Sequence, residues 1–281
     1  MIDPSRSPVF VGRAAEMALL DGALAQAMGG RPAVVVVGGE AGIGKSRLVS
    51  EFAARAAGDA LVLVGRCHPG PTVLPYAPLA EVLRELAARL PSDELAAVLG
   101  PAASELGVVV PELERPGRAP APDLPVESRA IARTRLLGLL AGIVDRLAEL
   151  TPVAVAIEDV QWADAASIDA LEFLVRAANR QRTLLVVTVR TDEGAVRARL
   201  PAIAELERAG SVERVELRRL TRTEVAAQIA GALGTAPGDD LAARIAARSD
   251  GNPFFVEELL AAERRGDPIG LTPRLDDLMR A

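Results

Sequence analysis

An unbroken apolar run, Ala33-Val34-Val35-Val36-Val37, empties into Gly39-Glu40-Ala41-Gly42-Ile43-Gly44-Lys45-Ser46, and Arg47-Leu48-Val49-Ser50-Glu51-Phe52 follows. That order reads as strand, glycine-rich loop and helix, and the loop fits G-x-x-x-x-G-K-[ST] without a mismatch. Few features restrict a chain more. Such a loop wraps a phosphate chain by aiming backbone N–H groups at it, and side chains would block the approach. Gly39, Gly42 and Gly44 supply the dihedrals and the clearance. The helix that starts at the loop adds the positive end of its dipole. Lys45 is placed to reach the outer phosphates and the Ser46 hydroxyl to ligate magnesium. Residues 39–47, with Glu40, Ala41, Ile43 and Arg47 between and beside these, are therefore the candidate nucleotide-binding segment.

Lys45 is the only lysine among 32 basic residues. Arginine serves everywhere else, so Lys45 is not a generic surface cation. A compact ammonium and a flat guanidinium are not interchangeable at a phosphate. A tight turn between strand and helix would by itself explain the glycines, but not this lysine.

The chain has 281 residues, enough for one large domain or two smaller ones. Half are apolar and only 2% aromatic, so the core is built from Ala, Val, Leu and Ile. A net charge of −6 argues against a nucleic-acid surface on this stretch, which would need a basic patch. Cys67 and His68 are the single cysteine and the single histidine. No internal disulfide and no Cys/His zinc cluster can form from them, and neither has a partner to make a thiol–imidazole pair. No signal peptide and no run of membrane-spanning length is visible, so the expectation is a cytoplasmic protein in a reducing compartment.

In order along the chain, apolar spacing predicts a helix over 14–28, stopped by Gly29-Gly30-Arg31-Pro32, then the strand and loop already described. A helix over 45–57 and a buried strand over 60–65 follow. Prolines 69, 71, 75 and 78 mark an irregular stretch before a helix over 79–90. Residues 91–125 carry short helical pieces and a proline-rich segment that suits a mobile exposed loop. A helix over 126–150, a strand over 153–157, a helix over 165–179 capped by Asp164 and a strand over 183–189 come next. A helix over 195–209 leads to an alternating edge strand over 212–217. After Thr221 only helices are expected, over 222–233, 239–248 and 253–264. Apolar strands separated by helices imply an α/β fold, a P-loop NTPase with a five-stranded parallel sheet between helices. The expected division is a core over 1–220, with its mobile segment near 91–125, and a small all-helical lid domain over 221–281.

A phosphate loop alone binds a triphosphate; hydrolysis also needs an acid that supports magnesium and a group that orients water. In a parallel sheet, ligands sit beyond the carboxyl ends of the strands. Glu158 and Asp159 end one strand there, and Arg190 ends another. Glu158 is assigned to the magnesium shell and Asp159 to water activation, with the division between the two acids left open. Arg190 is assigned to sensing the γ-phosphate or to stabilising charge that develops in transfer. Thr188 reads as core-facing, and Trp162, the sole tryptophan, as a structural wedge in the strand–helix turn.

Five segments appear in one order: Phe10-Val11-Gly12-Arg13, Gly39–Ser46, Ile157-Glu158-Asp159-Val160-Gln161-Trp162-Ala163-Asp164, Thr188-Val189-Arg190 and Gly251-Asn252-Pro253-Phe254-Phe255. Together, from about residue 8 to 265, they resemble the ATPase domain of the large ATP-binding LuxR-type transcriptional regulators, in the STAND branch of the AAA-related NTPases. The resemblance implies that Gly12 and Arg13 lie near the base and ribose, and that Gly251, Asn252 and Pro253 close over the adenine from the helical lid. A plain helix boundary, with proline opening the next helix, also explains that last segment. Two departures stand out. The first acid, usually Asp, is Glu158 here, and the chain stops near 275–280, where the family continues into winged-helix, repeat and DNA-binding regions. An excised module or a truncated relative is therefore expected.

The expected function is a magnesium-dependent, slowly ATP-hydrolysing signalling switch that binds ATP and ADP and works by conformational change or ATP-dependent self-association. No stretch specifies an interface for such a homo-oligomer. A metabolic P-loop enzyme such as a small-molecule kinase is the alternative, with any acceptor pocket hidden in 91–125. A DNA-remodelling ATPase is disfavoured by the acidic balance. A GTPase of the Asn-Lys-x-Asp type is excluded, because its base-reading lysine does not exist here.

Overall fold

The computed structural model describes residues 9–70, 74–106, 110, 126–177, 182–191 and 212–265. By contacts the chain divides into two compact units, one made of residues 19–38 and 52–215, the other of residues 1–18, 39–51 and 216–281. The helix expected over 195–209, the stretch 275–280 and most of 107–125 lie outside the described residues.

In chain order the elements are α1 (Ala14–Met28), β1 (Ala33–Gly39), α2 (Lys45–Ala56), β2 (Leu61–Arg66), α3 (Ala77–Arg89), α4 (Ser92–Leu99), a 3-10 turn at Gly100–Ala102 and α5 (Ala103–Leu106). They continue with α6 (Val126–Leu150), β3 (Val153–Glu158), a 3-10 turn at Val160–Trp162, α7 (Ala165–Ala177), β4 (Thr183–Arg190), β5 (Val212–Glu216), α8 (Arg222–Leu233), α9 (Asp239–Ser249) and α10 (Pro253–Arg265).

The strands form one five-stranded parallel sheet in the order β2-β3-β4-β1-β5. The register pairs Leu61 with Val153 through to Arg66 with Glu158, and Val153 with Thr183 through to Ile157 with Val187. Every residue of β1 and β3 is buried, as is all of β4 except Arg190. That is the pattern of strands covered on both faces. At the margin, β5 buries only Val215, which matches its alternating sequence. Parallel register has a direct consequence for chemistry: it carries Arg66, Glu158 and Arg190 to the same edge of the sheet.

Leu63, Leu83, Leu86, Leu140, Ile143 and Ile157 meet in the core beside the sheet. Each such side chain contributes roughly 1.5–3 kcal/mol on burial. In the other unit, α8, α9 and α10 pack Val225, Ile229, Ile245, Val256, Leu259 and Leu260 together. Helix α8 opens with a capping box, in which Thr221 Oγ1 accepts from the Glu224 N–H while Glu224 Oε2 accepts from the Thr221 N–H at 2.7 Å.

Helix α3 lies tightly on β2. A Cβ added at Gly65 would stand 2.1 Å from the Pro78 carbonyl oxygen, a backbone atom with no room to retreat. We expect Gly65→Ala to destabilise the fold by at least about 2 kcal/mol. Gly58→Ala, where the added carbon meets nothing, should change it by less than about 1 kcal/mol. Urea denaturation of the two variants measures the difference.

Candidate functional site

The phosphate loop and the segments that resembled a nucleotide site at the two ends of the chain belong to one unit. The loop itself is organised by its carbonyls. Lys45 Nζ donates to Gly39 O at 2.8 Å and to Glu40 O at 2.9 Å. Asn252 Nδ2 donates to Ala41 O at 2.9 Å, the Phe254 N–H to Gly42 O at 3.3 Å, and Arg13 Nη2 to Ile43 O at 3.1 Å. Lys45, Arg13 and Asn252 are all buried to make these contacts.

Burial holds the Arg13 guanidinium below its usual pKa, against the opposing pull of Glu16 and Glu224. Gly12, next to it, leaves room for the Glu224 side chain. Gly42 has φ +73°, and a Cβ there would come within 2.8 Å of Phe254 Cβ. Gly251 has φ +75°, and its Cβ would overlap Leu220 O at 2.2 Å, so both glycines are fixed by close approach within this unit. Asn252 caps α10 through Oδ1, which accepts from the Phe254 N–H at 3.1 Å, and Pro253 opens the helix. Glu40 and Asp250 both pair with Arg219, Glu40 Oε2 at 2.8 Å. Ser46 is exposed, with its carbonyl accepting from Ser50 Oγ, and Arg47 is exposed and paired with Glu51.

The acid pair belongs to the other unit. Glu158 ends β3 and is 1% exposed, yet neither of its carboxylate oxygens accepts a hydrogen bond. Arg66 Nη2 stands 3.5 Å from Oε1. Asp159 turns away from the strand in the left-handed region, φ 57° and ψ 46°. Its N–H donates to Thr188 Oγ1 at 2.9 Å, and its Oδ1 accepts from Gln161 Nε2 at 3.1 Å. The same Gln161 side chain accepts the Arg190 N–H through Oε1 at 3.1 Å. Gln161 thus links the Asp159 carboxylate to the backbone of Arg190. Asp164 accepts the N–H groups of Ala166 and Ser167 as the cap of α7, and Trp162 packs partly buried against the core. Cys67 is buried, and that burial, with Asp159, Asp164 and Glu81 nearby, pushes its thiol up to about 12. It stays protonated at neutral pH and is no nucleophile.

Residues 9–187 match the AAA ATPase domain family. This chain belongs to that family. No curated protein matches the sequence. Among solved structures, the Walker-type ATPase of Pyrococcus abyssi is 13% identical, with a TM-score of 0.53 over 100% of this chain and 73% of its own. A signal transduction ATPase with numerous domains and a tetratricopeptide repeat sensor, from Pyrococcus horikoshii, is 18% identical, with a TM-score of 0.52 over 92% of this chain. This chain spans only 31% of that protein's length. The Aeropyrum pernix ORC2 protein, in ADPNP–ADP complexes, is 16% identical, with a TM-score of 0.54 over 98% of this chain and 68% of its own. Identities this low establish a shared fold and nothing finer.

Membership of the AAA ATPase family implies nucleotide binding and usually Mg2+, and the residues of this domain suit such a group. A buried carboxylate without hydrogen-bond donors is a costly arrangement unless a cation or its water completes it. Glu158 is a buried carboxylate that accepts no hydrogen bond, with the Arg66 guanidinium 3.5 Å from Oε1 as a counter-charge on one side. Among the described residues no cluster of three His, Cys, Asp or Glu side chains forms a separate metal site, and no helix is long and apolar enough to cross a membrane.

Three participants escaped the sequence reading of this AAA domain. Gln161 had a signal, its place two residues after Asp159, but only the fold reveals that both ends of its amide are used. Thr188 reads as core-facing and is fully buried, yet its hydroxyl has a specific task. Arg219 has no motif at all.

Thr188→Val keeps the shape and removes the acceptor of the Asp159 N–H. We expect a loss of about 1–3 kcal/mol, with Thr188→Ser closer to the parent. Thermal or urea denaturation checks it.

Proposed function

We propose that this chain is a magnesium-dependent ATP switch, the ATP-binding and slowly hydrolysing module of a STAND-type transcriptional regulator akin to the large LuxR-type proteins. Residues 1–220 form its nucleotide-binding core and 221–281 its helical lid. The observation that carries the reading is the chain Asp159–Gln161–Arg190. A protein that only held a nucleotide would not need to tie the acid that activates water to the end of the strand that senses the γ-phosphate. A switch does, because its output depends on which nucleotide is present. Membership of the AAA family and likeness of fold to a STAND protein support the class. The ORC2 neighbour, solved with ADPNP and ADP, suits a site that accepts both nucleotide states.

The roles follow from the chemistry of each group. Glu40, Ala41, Ile43 and the loop glycines present backbone N–H groups, and Lys45 contributes its ammonium to the phosphates. Ser46 and Glu158 would hold magnesium, whose charge would offset that of the phosphate oxygens. Asp159 accepts a proton from the attacking water. Arg190 reads the γ-phosphate. Gly12 and Arg13 serve the base and ribose side, Gly251 and Pro253 the adenine, and Arg47 flanks the loop. The lone thiol suits the cytoplasm. Output is conformational change or self-association in the ATP state, with no direct nucleic-acid contact by this segment.

Lys45→Ala should fold normally and lose tight Mg·ATP binding, measured by calorimetry. Asp159→Asn keeps the Oδ1 acceptor for Gln161 and should bind Mg·ATP normally while turnover falls by at least about 100-fold. Light scattering run alongside the ATPase assay should record slow turnover with an ATP-dependent change in mass. Rapid turnover that requires an added small-molecule acceptor would instead indicate a metabolic kinase.

A further inference from the structure

We propose that Asn252 is a positioning residue for the phosphate loop, so that the first turn of α10 shapes the surface that receives the phosphates. The inference rests on the nucleotide reading of that loop and adds a regulatory element to it.

Each of the consecutive carbonyls from Gly39 to Ile43 accepts a hydrogen bond. Lys45 holds the first two, Asn252 and Phe254 the next two, and Arg13 the last. A trans peptide sets each carbonyl antiparallel to the N–H that follows it. Fixing Ala41 O on Asn252 and Ile43 O on Arg13 therefore turns the N–H groups of Gly42 and Gly44 to the opposite side. Those are the donors a phosphate-binding nest requires. Asn252 and the Phe254 N–H thus shape the loop from the side of its carbonyls.

Asn252 is suited to this by chemistry as well as position. It is 3% exposed and has two partners of opposite kind, the Ala41 carbonyl and the Phe254 N–H. Only an amide satisfies both at once, and the two partners fix which end is which. A carboxylate would keep the helix cap and face Ala41 O with a second acceptor. A serine hydroxyl can cap the helix but is too short to reach the loop. The grip is reinforced at Gly42, where the absence of a side chain lets Phe254 close to backbone distance. The loop and the start of α2, residues 39–51, belong to the same compact unit as the helices from 216 onward, as expected of a loop held by those helices.

The test uses Asn252→Asp and Asn252→Ser beside the parent chain and Lys45→Ala. Both Asn252 variants retain a helix cap but leave Ala41 O without its donor, so a modest drop in melting temperature is expected and affinity is read per folded molecule. Affinity for Mg·ATP and Mg·ADP should fall together, by about tenfold or more, because both nucleotides use the same loop. Unchanged affinity in both variants overturns the proposal, and so does a drop in melting temperature with affinity per folded molecule preserved. A parent chain that binds neither nucleotide defeats the nucleotide reading itself, a different outcome. Amide exchange on the unmodified protein needs no variant. Adding Mg·ADP should slow exchange in peptides covering 250–256 together with those covering 39–47. Protection confined to 39–47 would overturn the link.

Discussion

A carbonyl withdrawn from water must be given a donor, and in this protein that requirement falls most heavily on the loop after β1. The strand before it is buried along its whole length, so the chain leaves the sheet with no freedom to solvate its turn on one side. The donors come from sequence positions as distant as 13 and 252. Segments more than two hundred residues apart are thereby committed to one small unit, and the motifs at the chain's two ends owe their character to that commitment. Gly251 is glycine because Leu220 O passes close by, and Gly42 is glycine because Phe254 does.

The acid pair obeys a different constraint. Glu158 still belongs to the strand and is buried as strand residues are, while Asp159 has already left it through a left-handed turn. Neighbours in sequence thus have opposite surroundings. One carboxylate has no hydrogen bond, and the other is held by Gln161, with its own N–H on Thr188. Chemically distinct duties for two adjacent acids need this kind of separation, since equivalent surroundings would give equivalent groups.

Much of this was legible in the residues. The period of apolar positions placed the described helices and strands to within two or three residues, because long helices and continuous β-branched runs leave little competition. The loop after β1, Glu158 at the end of β3 and Arg190 at the end of β4 could be placed because each closes a continuous apolar run. What could not be read depends on distance in sequence. Nothing local to Asn252 indicates Ala41, and nothing local to Gln161 indicates Arg190. Contacts group the loop with the helices that follow 216. A hydrogen bond across two hundred residues leaves no periodic trace.

The solitary lysine has one more consequence. Its ammonium is buried on the carbonyls of Gly39 and Glu40, and no other side chain in the sequence carries a primary amine. Any lysine-directed chemistry, whether an acylating reagent, an acetyltransferase or a crosslinker, therefore has a single side-chain target. The protein has in effect a built-in reporter: the reactivity of one amine measures how tightly its loop is closed.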